Sequence, residues 1–559
     1  MILNKNKYVL FNLIFFGPFF HIVYLLISDK KKATVFSLIY FFVFAYISIK
    51  KNSDTHSEKK LFLISNKKKI LIGVYFLFLI LATQNYLLEY EIIDWDIGSY
   101  IVASNELQIN NIPYATQWES KGPILFYMYK FFLNLASGNL IYFKIISDSV
   151  LFLIAIVLFK KSLSITNKNL LISFTAVSVF ILFMSQPFMI SSYSEIYALL
   201  FLSSSIYLFF YTKNKYKYLI SGFLFSLSTL VNQGTIIFLL PYLIDFLQNK
   251  VKKVKFVSFF TAFTLPHLFF ICLYFVNDLF EVYLATFISI PLGYTSANYS
   301  NLYELFIFFK KFLEFNSNIY LILLSIFFIS FRSLLFYQTF LTNLFRNSEI
   351  YFIMVSLLFY FIGSHNYYHH LIFFIYFLSL YIARLKHDYF FNMMLSFVLF
   401  GTIYLMSTIG VSSYKNINSL DTLYEEYPLR QLSEKIQNEI EGEYEILALD
   451  YNLILYYLDK PNFSYIAHGT NLEEPYIIQS LENTGIITTN YLDYLQNSKP
   501  SIVICSPTMI IRGEPTQRKF LCNLDHYPEY YQLDTQDYFR QNLNFYFDPY
   551  KEINVFLLK

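Results

Sequence analysis

Residues 70–88 read ILIGVYFLFLILATQNYLL, an apolar run without a charged residue, and the polar stretch EYEIIDWD (89–96) follows it directly. The run is close to the roughly 20 residues that a helix needs to cross a bilayer. Similar runs recur along the chain, in which 56% of the 559 residues are hydrophobic and only 14% are charged. A soluble domain carries roughly 25% charged residues. The chain is therefore predicted to be a polytopic membrane protein, and no nucleic-acid partner is expected.

The apolar runs predict a mainly α fold, a transmembrane bundle of about thirteen helices. The candidate spans are residues 8–28, 33–49, 70–88, 140–159, 170–185, 195–211, 218–232, 233–247, 256–276, 319–336, 350–364, 371–383 and 389–410.

Lysines and arginines in short loops set the orientation of the spans, because such loops stay in the cytoplasm. Segment 50–69 holds seven lysines, so it is predicted to be cytoplasmic, together with the N-terminus. The later basic loops also fall on the cytoplasmic side when the predicted spans are counted onward from this segment. The loop DKKK (29–32) disagrees: either the downstream charges override it, or the first two segments form a shallow hairpin. Three segments then face outward: 89–139, 277–318 and everything after about 411.

The last segment changes character, since charged residues, Asn and Pro return. YEILALD (444–450) and PSIVICSP (500–507) are typical of buried strands, whereas 472–483 and 488–498 are typical of helices. We therefore expect a transmembrane catalytic domain over 1–410 and a small extracytoplasmic α/β domain over 411–559.

Two of the three cysteines, Cys505 and Cys522, lie in this last segment. A disulfide is compatible with an oxidising compartment, but the expectation is two buried thiols. Nothing in the segment indicates catalysis, and His468 and Asp450 are expected to be surface or strand-end residues.

The first external loop concentrates the polar residues that a membrane bundle does not need for its structure. Asp94 and Asp96 flank Trp95, and in an extended segment they would point to opposite sides, so we expect different roles for them. One carboxylate is a candidate general base; the alternative is a hydrated loop whose acids merely face water. Lys121 precedes Gly-Pro at the start of an apolar run, and a lysine beside free N–H groups at a helix start suits a phosphate.

This arrangement resembles the GT-C superfamily of polyprenyl-phosphate-sugar-dependent glycosyltransferases, particularly the protein O-mannosyltransferase and lipid A aminoarabinose transferase branch. Many of those proteins have an acidic D-E-x-x-Y motif after a membrane helix, then a P-Y pair and an E-K-P-P-like or K-G-P element. The matching positions are Asp96 with Tyr100, Pro113-Tyr114, and Glu119 through Pro123. Two departures are that Ile97 replaces the second acid and that Ser120 separates Glu119 from Lys121.

The resemblance implies site residues beyond the two aspartates. It assigns Lys121, Tyr100 and Glu119 to the donor phosphate, and it places an acid such as Glu195 at the cavity, where the alternative is an acid favoured by the helix dipole. SHNYYHHLIFF (364–374) resembles the family's H-Y element. For His369 and His370 in it we expect interfacial anchoring rather than metal binding, because no acidic partner is near in sequence. Asn232-Gln233 is a weaker match to donor contacts.

The implied reaction is transfer of a hexosyl or pentosyl group at the extracytoplasmic membrane face. The donor is a polyprenyl-phosphate sugar, and the acceptor is a lipid, glycan or protein. Asp96, or Asp94, would act as general base with inversion at the anomeric carbon, and Lys121, helped by Lys310 or Lys311, would stabilise the leaving phosphate. No cofactor is required, although Asp94, Asp96 and Glu195 could hold a divalent metal ion.

Three other functions are weighed against this one. A transporter or flippase for a lipid-linked or envelope saccharide would place charges at mid-membrane and break helices in corresponding halves, whereas here the charges lie mostly at helix ends. A polymerase or ligase with a diphosphate-linked donor would be expected to have arginine-rich external loops, which are absent before residue 411. A membrane scaffold would show no loss of function on removal of a carboxylate.

Overall fold

The computed structural model describes residues 66–91, 94–107, 111–166, 169–248, 253–297, 348–362, 367–384 and 409–486, with shorter pieces within 395–407 and 499–559. These parts are mainly helical. The helices are α1 Asn66–Gln84, α2 Trp95–Asn105, α3 Pro123–Leu135, α4 Leu140–Ile165, α5 Leu170–Phe183, α6 Ser194–Tyr211, α7 Lys217–Val231, α8 Leu239–Gln248, α9 Lys253–Val276, α10 Phe280–Leu284, α11 Ile290–Ala297, α12 Ser348–Ile362, α13 Ile372–Ile382, α14 Ile409–Ile417, α15 Leu420–Glu425, α16 Pro428–Glu439, α17 Leu453–Leu458 and α18 Pro475–Glu482.

Four helices in the described part are long and apolar enough to cross a membrane: Lys69–Glu89, α4, α6 and α9. Shorter apolar helices are α5, α7, Gln233–Gln248, α12 and Tyr368–Ile382. Among the described residues, nine predicted spans therefore fold as helices close to their expected bounds. The predicted spans 8–28, 33–49 and 319–336 lie outside the described residues, and only isolated residues of 389–410 lie within them.

Small residues let the membrane helices approach each other closely, as is common where lipid surrounds the bundle. Helix α7 packs between α6 and α9. A Cβ atom added at Gly222 of α7 would lie 2.2 Å from the backbone oxygen of Phe259 on α9, so only glycine fits this crossing. The bundle is thus held by close backbone contact as well as by its aromatic core.

The C-terminal segment contains the predicted sheet. Its strands are β1 Ile446–Ala448, β2 Ile502–Cys505, β3 Ile510–Ile511, β4 Glu514–Pro515, β5 Tyr530–Leu533 and β6 Asn554–Leu558. The main sheet has the order β1-β2-β6-β5, with β1 parallel to β2 and the other pairs antiparallel. Strands β1 and β2 and helix α18 confirm the predictions for 444–450, 500–507 and 472–483, whereas 488–498 lies outside the described residues.

The expectation of two buried thiols was wrong. Cys505 and Cys522 form a disulfide with an S–S distance of 2.11 Å and a Cα–Cα distance of 5.7 Å. The latter distance lies within the range that a disulfide requires. The sequence alone could not give this distance, because the distance depends on how the chain after β2 folds back to the end of that strand. The remaining cysteine, Cys272, is free and exposed.

The C-terminal segment and the helical bundle share one hydrophobic core. The loop that carries Trp118 pairs with the C-terminal segment like a short parallel ladder: Trp118 N donates to Tyr465 O at 2.7 Å, and Ala467 N donates to Trp118 O at 2.9 Å. Glu91 accepts hydrogen bonds from Leu429 N and Arg430 N at the start of α16. The Trp118 pairing holds residues 465–467 against the loop that carries the aspartates.

Candidate active site

A cavity of about 590 Å³ lies where the loop that carries Asp96 and Lys121, the ends of the membrane helices and the C-terminal segment meet. Charged and polar side chains line one part of it, and aliphatic and aromatic side chains line the rest. The polar part comprises Asp96, Glu119, Ser120, Lys121, Asn232, Gln233, His369, His370, His468, Thr470, Asn471 and Glu474. The apolar part includes Ile236, Phe287, Ile288, Leu292, Phe359 and Ile362. Ile236, Ile288, Leu292 and Ile362 are also exposed on the outside of the protein.

Asp94 and Asp96 occupy different environments, as expected, but they lie at the start of helix α2 and not in the extended segment on which that expectation rested. Asp94 is 4% exposed, its Oδ1 accepts the backbone N–H of Asp96 at 2.8 Å as the N-cap of α2, and its Oδ2 accepts the hydroxyl of Tyr193 at 2.6 Å. The side chain of Asp96 is 29% exposed and lines the cavity. Asp94 therefore holds the helix start in place, and Asp96 is the carboxylate that a ligand can reach.

Asp96 has a partner that sequence reasoning missed. His468 Nε2 lies 2.9 Å from Asp96 Oδ1, and His468 is buried. Its Nδ1 accepts the backbone N–H of Thr470 at 3.1 Å, which leaves the Nε2 proton to be donated to Asp96. The expectation that His468 is a surface or strand-end residue was wrong, because 372 residues of separation hide the contact from the sequence. Asp450 does lie just after β1, as expected, and accepts Ser506 N at 2.9 Å.

These environments move the pKa values of the two aspartates apart. Burial, together with the neighbouring charge of Asp96, raises the pKa of Asp94. Burial acts in the same direction on Asp96, but the hydrogen bond from His468 and neighbouring charges, that of Lys121 among them, together outweigh it and hold the pKa of Asp96 well below its usual range. Burial lowers the pKa of His468, but the hydrogen bond to Asp96 and the charges of Glu119 and Asp96 together outweigh burial, so that this pKa is raised. Asp96 is thus the carboxylate that stays ionised.

The predicted neighbour Tyr100 lies one turn along α2 and contacts the same carboxylate. Its hydroxyl donates to Asp96 Oδ2 at 3.3 Å, and its ring is buried while the residue lines the cavity. Both oxygens of Asp96 are therefore oriented by protein groups.

Lys121 lies just before α3, as predicted, and its backbone is tightly positioned. Gly122 is the N-cap of α3, and its N–H donates to Val231 O at 3.1 Å. A Cβ atom at Gly122 would lie 2.1 Å from the backbone oxygen of Leu230 at the end of α7. Tyr114, with a left-handed φ of 69°, donates its hydroxyl to Lys121 O. The P-Y and K-G-P elements thus position one lysine at the cavity wall.

The ammonium group of Lys121 faces acidic groups. Its Nζ lies 3.7 Å from Glu195 Oε1. Burial lowers the pKa of Lys121, but the charges of Glu195 and Asp96 outweigh burial and raise it, so the side chain stays cationic. Glu119 is buried, and its Oε1 accepts Ser120 N at 2.7 Å, while its Oε2 has no hydrogen-bond partner among the described residues. Burial raises the pKa of Glu119.

Glu195, His369 and His370 form a buried cluster beside Lys121. Their potential ligand atoms all lie within 4.8 Å of one another. His369 and His370 are 5% and 7% exposed, so the expectation of interfacial anchors was wrong: the missing acidic partner, Glu195, comes from another helix. Asn232 Nδ2 donates to Glu195 Oε1 at 3.0 Å, which places the weaker Asn232-Gln233 match at the site as well. His365, Lys310 and Lys311 lie outside the described residues.

No family model matches this sequence, and no curated protein matches it. Solved structures do resemble the fold. Apo ArnT from Cupriavidus metallidurans superposes with a TM-score of 0.51 at 10% identity, covering 87% of this chain and 96% of ArnT. ArnT from the same organism bound to undecaprenyl phosphate gives a TM-score of 0.54 at 10% identity, covering 88% and 98%. ArnT is a lipid A aminoarabinose transferase of the GT-C superfamily, so the predicted GT-C fold is confirmed. The protein is an integral membrane protein.

Proposed function

We propose that this protein is a membrane glycosyltransferase that takes a sugar from a polyprenyl-phosphate-linked donor and transfers it to an acceptor at the extracytoplasmic membrane face. The observation that supports this most is a single cavity that holds an ionised carboxylate, Asp96, and a cation, Lys121, beside an apolar wall that reaches the outside of the protein. Such a cavity suits a ligand with an apolar chain, a phosphate and a polar head group.

The proposed donor has a polar and an apolar part, which match the polar and apolar parts of the cavity. Its prenyl chain would lie along the apolar wall near Ile236, Ile288 and Leu292, which face outward from the bundle. Its phosphate would lie at Lys121, next to the start of α3. An ArnT structure with the same fold holds undecaprenyl phosphate, which supports a polyprenyl-phosphate ligand here.

Asp96 is the proposed general base. An acceptor hydroxyl or amine donates a hydrogen bond to its carboxylate and attacks the anomeric carbon from the face opposite the phosphate. The new bond to carbon forms as the bond between the anomeric carbon and the phosphate oxygen breaks, which inverts the configuration. The acceptor proton passes to Asp96, and the polyprenyl phosphate leaves with the bonding electrons. General-base action of this kind contributes about 10²–10⁴ in rate.

The leaving phosphate gains negative charge during this step, and a fixed cation in a partly dry site stabilises that charge. Lys121 is the cation proposed for this role. Glu195, 3.7 Å from its ammonium group, keeps the lysine side chain oriented and charged in the free protein. In this proposal Glu474, Asn471 and Thr470 contact the sugar and select a hexosyl or a pentosyl group. They line the cavity on the side of the C-terminal segment.

The two aspartates provide the test. In detergent-solubilised protein with a radiolabelled polyprenyl-phosphate sugar, Asp96→Asn is expected to reduce transfer by about 10² or more, because it removes the base. Asp94→Asn is the matched control: asparagine is also a good N-cap through its Oδ1, and its Nδ2 can donate to the Tyr193 hydroxyl oxygen, so most activity should remain.

Equal expression and equal thermal stability of the two variants are required for the comparison. Full activity of Asp96→Asn would contradict the proposed base. If the protein instead moved the intact lipid-linked sugar across a vesicle bilayer without breaking the sugar–phosphate bond, the transporter alternative would replace the proposal.

A further inference from the structure

We infer that Glu195, His369 and His370 form a binding site for a divalent transition-metal ion such as Zn²⁺, at the wall of the active-site cavity. The three side chains are buried, and one potential ligand atom from each lies within 4.8 Å of the others. His369 and His370 line the cavity, so an ion bound between them and Glu195 would be open to a ligand in that cavity.

The type of ligand indicates which ions the site would accept. Two imidazole nitrogens and one carboxylate suit borderline ions such as Zn²⁺, whereas Mg²⁺ prefers oxygen ligands alone. Ligand atoms around a four-coordinate zinc ion lie roughly 3.5 Å apart, given bonds of about 2.0–2.2 Å. The ligand atoms of the cluster lie within 4.8 Å of one another, so binding an ion would bring them closer together by at most about 1.3 Å, and three protein ligands would leave a fourth position for a phosphate oxygen.

The histidine rings are already held in place. The ring of His369 stacks on Tyr193 with a centroid distance of 4.6 Å, and on Tyr367 with a centroid distance of 5.5 Å. His370 Nε2 lies 3.8 Å from Glu195 Oε1, too far for a hydrogen bond, and its buried Nδ1 has no hydrogen-bond partner among the described residues. A buried ring nitrogen without a hydrogen-bond partner is costly, and a metal ion bound by His370 would give a ring nitrogen a partner.

Glu195 is supported from behind in the way that metal ligands commonly are. Asn232 Nδ2 donates to its Oε1 at 3.0 Å, and Ser194 Oγ donates to its Oε2 at 3.0 Å. These contacts orient the carboxylate without neutralising its charge.

Lys121 competes with the ion for the same carboxylate. Its ammonium group lies 3.7 Å from Glu195 Oε1, and two cations at one carboxylate repel each other. Binding of the ion therefore releases Lys121 toward the cavity. If the proposed function is correct, this movement brings both cations to the donor phosphate; the metal site itself does not depend on that function.

The experiment measures zinc on tag-free, full-length protein in detergent. The protein is stripped with a chelator, titrated with Zn²⁺ in excess Mg²⁺, desalted and analysed for metal by mass spectrometry. About one tightly held zinc ion per chain is expected, because a site with three protein ligands holds a single ion. Glu195→Gln and His370→Asn should lose it, and Asn232→Ala should weaken binding about 10–100-fold.

Two further variants separate a metal site from a merely packed cluster. His267→Asn changes a histidine on α9 that contacts Thr229 instead, so it should retain zinc. Lys121→Met should bind zinc more tightly than the wild type, because the competing cation is gone. Folding of each variant is checked by its thermal unfolding.

Absence of bound zinc in folded wild-type protein, or equal zinc in folded Glu195→Gln, would overturn the inference. Unchanged affinity in Lys121→Met would overturn the shared-carboxylate argument. If the protein and its variants bind zinc as expected but the protein transfers no sugar, the proposed function is contradicted and the metal site is not. Transfer that is insensitive to complete removal of zinc would refute a role of the ion at the phosphate.

Discussion

At the scale of single residues, the site depends on two aspartates of similar sequence context and opposite environment. Asp94 is enclosed by the helix start and Tyr193, whereas Asp96 faces the cavity and His468. Pairs of acids whose surroundings push their pKa values apart are typical of acid–base sites. The difference comes from the partners of each carboxylate, since the two residues are separated only by Trp95.

The contact with His468 predicts a pH effect. Burial raises the pKa of Asp96, but the hydrogen bond from His468 and the neighbouring positive charge of Lys121 act together in the opposite direction and hold this pKa low. In His468→Gln the hydrogen bond from the imidazole Nε2 to Asp96 is removed, so the pKa of Asp96 should rise. Asp96 would then become protonated, and transfer would be lost, at a higher pH than in the wild type.

The measurement is kcat/KM for sugar transfer against pH in both proteins, with the acid limb displaced upward in His468→Gln. A uniform drop in rate at every pH, with the limb unmoved, would mean that His468 supports the fold and does not tune Asp96.

At the scale of secondary-structure elements, the active-site loop is set by its contact with the end of α7. The loop before α3 approaches the backbone of Leu230 so closely that a side chain at Gly122 has no room. A displacement of this loop moves Lys121, and a small misplacement of a catalytic group can reduce the rate by about 10².

Gly122→Ala is therefore expected to reduce sugar transfer by about 10² while most of the bundle remains folded. Gly73→Ala is the control, because a Cβ atom there would meet only Ile156 Cδ1 at 4.0 Å and alanine favours a helix. Transfer rates and thermal unfolding of both variants would be compared. Equal activity in the two would show that the loop tolerates the shift.

At the scale of the whole molecule, the membrane bundle and the C-terminal segment form one unit. Trp118 pairs with Tyr465 and Ala467, and this pairing delivers His468 to Asp96. The candidate site is thus assembled from both ends of the chain. The C-terminal segment, in which the sequence shows no catalytic motif, supplies one wall of the cavity.

The disulfide gives a prediction about the cellular location of that segment. Disulfides persist in oxidising compartments, so Cys505–Cys522 agrees with a position outside the cytoplasm. Protein isolated from cells without reductant should show one reactive thiol after denaturation, Cys272, and three after reduction.

Replacing both bridged cysteines by serine should destabilise the segment by about 3 kcal/mol, the value for a loop of roughly this length. Thermal unfolding of this double variant is compared with that of Cys272→Ser, which leaves the bridge intact. Three reactive thiols before reduction would contradict the extracytoplasmic assignment.

Hydrophobic periodicity and local chemistry determined a large part of the secondary structure and of the candidate site residues. A long apolar run such as 70–88 favours a helix in lipid, because a helix satisfies all its backbone hydrogen bonds within one segment, and Pro123 after Gly122 favours a helix start. Asp94, Asp96 and Lys121 could be named because charges near a membrane are costly and a bundle does not need them. Strands β1 and β2 followed from their apolar β-branched residues.

Only the tertiary structure decided which of those groups meet. His468 reaches Asp96, Glu195 joins His369 and His370, and Cys505 reaches Cys522, each across a fold that brings distant segments together. Local sequence determines whether a segment is a helix or a strand, because that choice depends on neighbours along the chain. The distance between two side chains from separate segments depends on how whole elements pack, and so does the chemistry they perform.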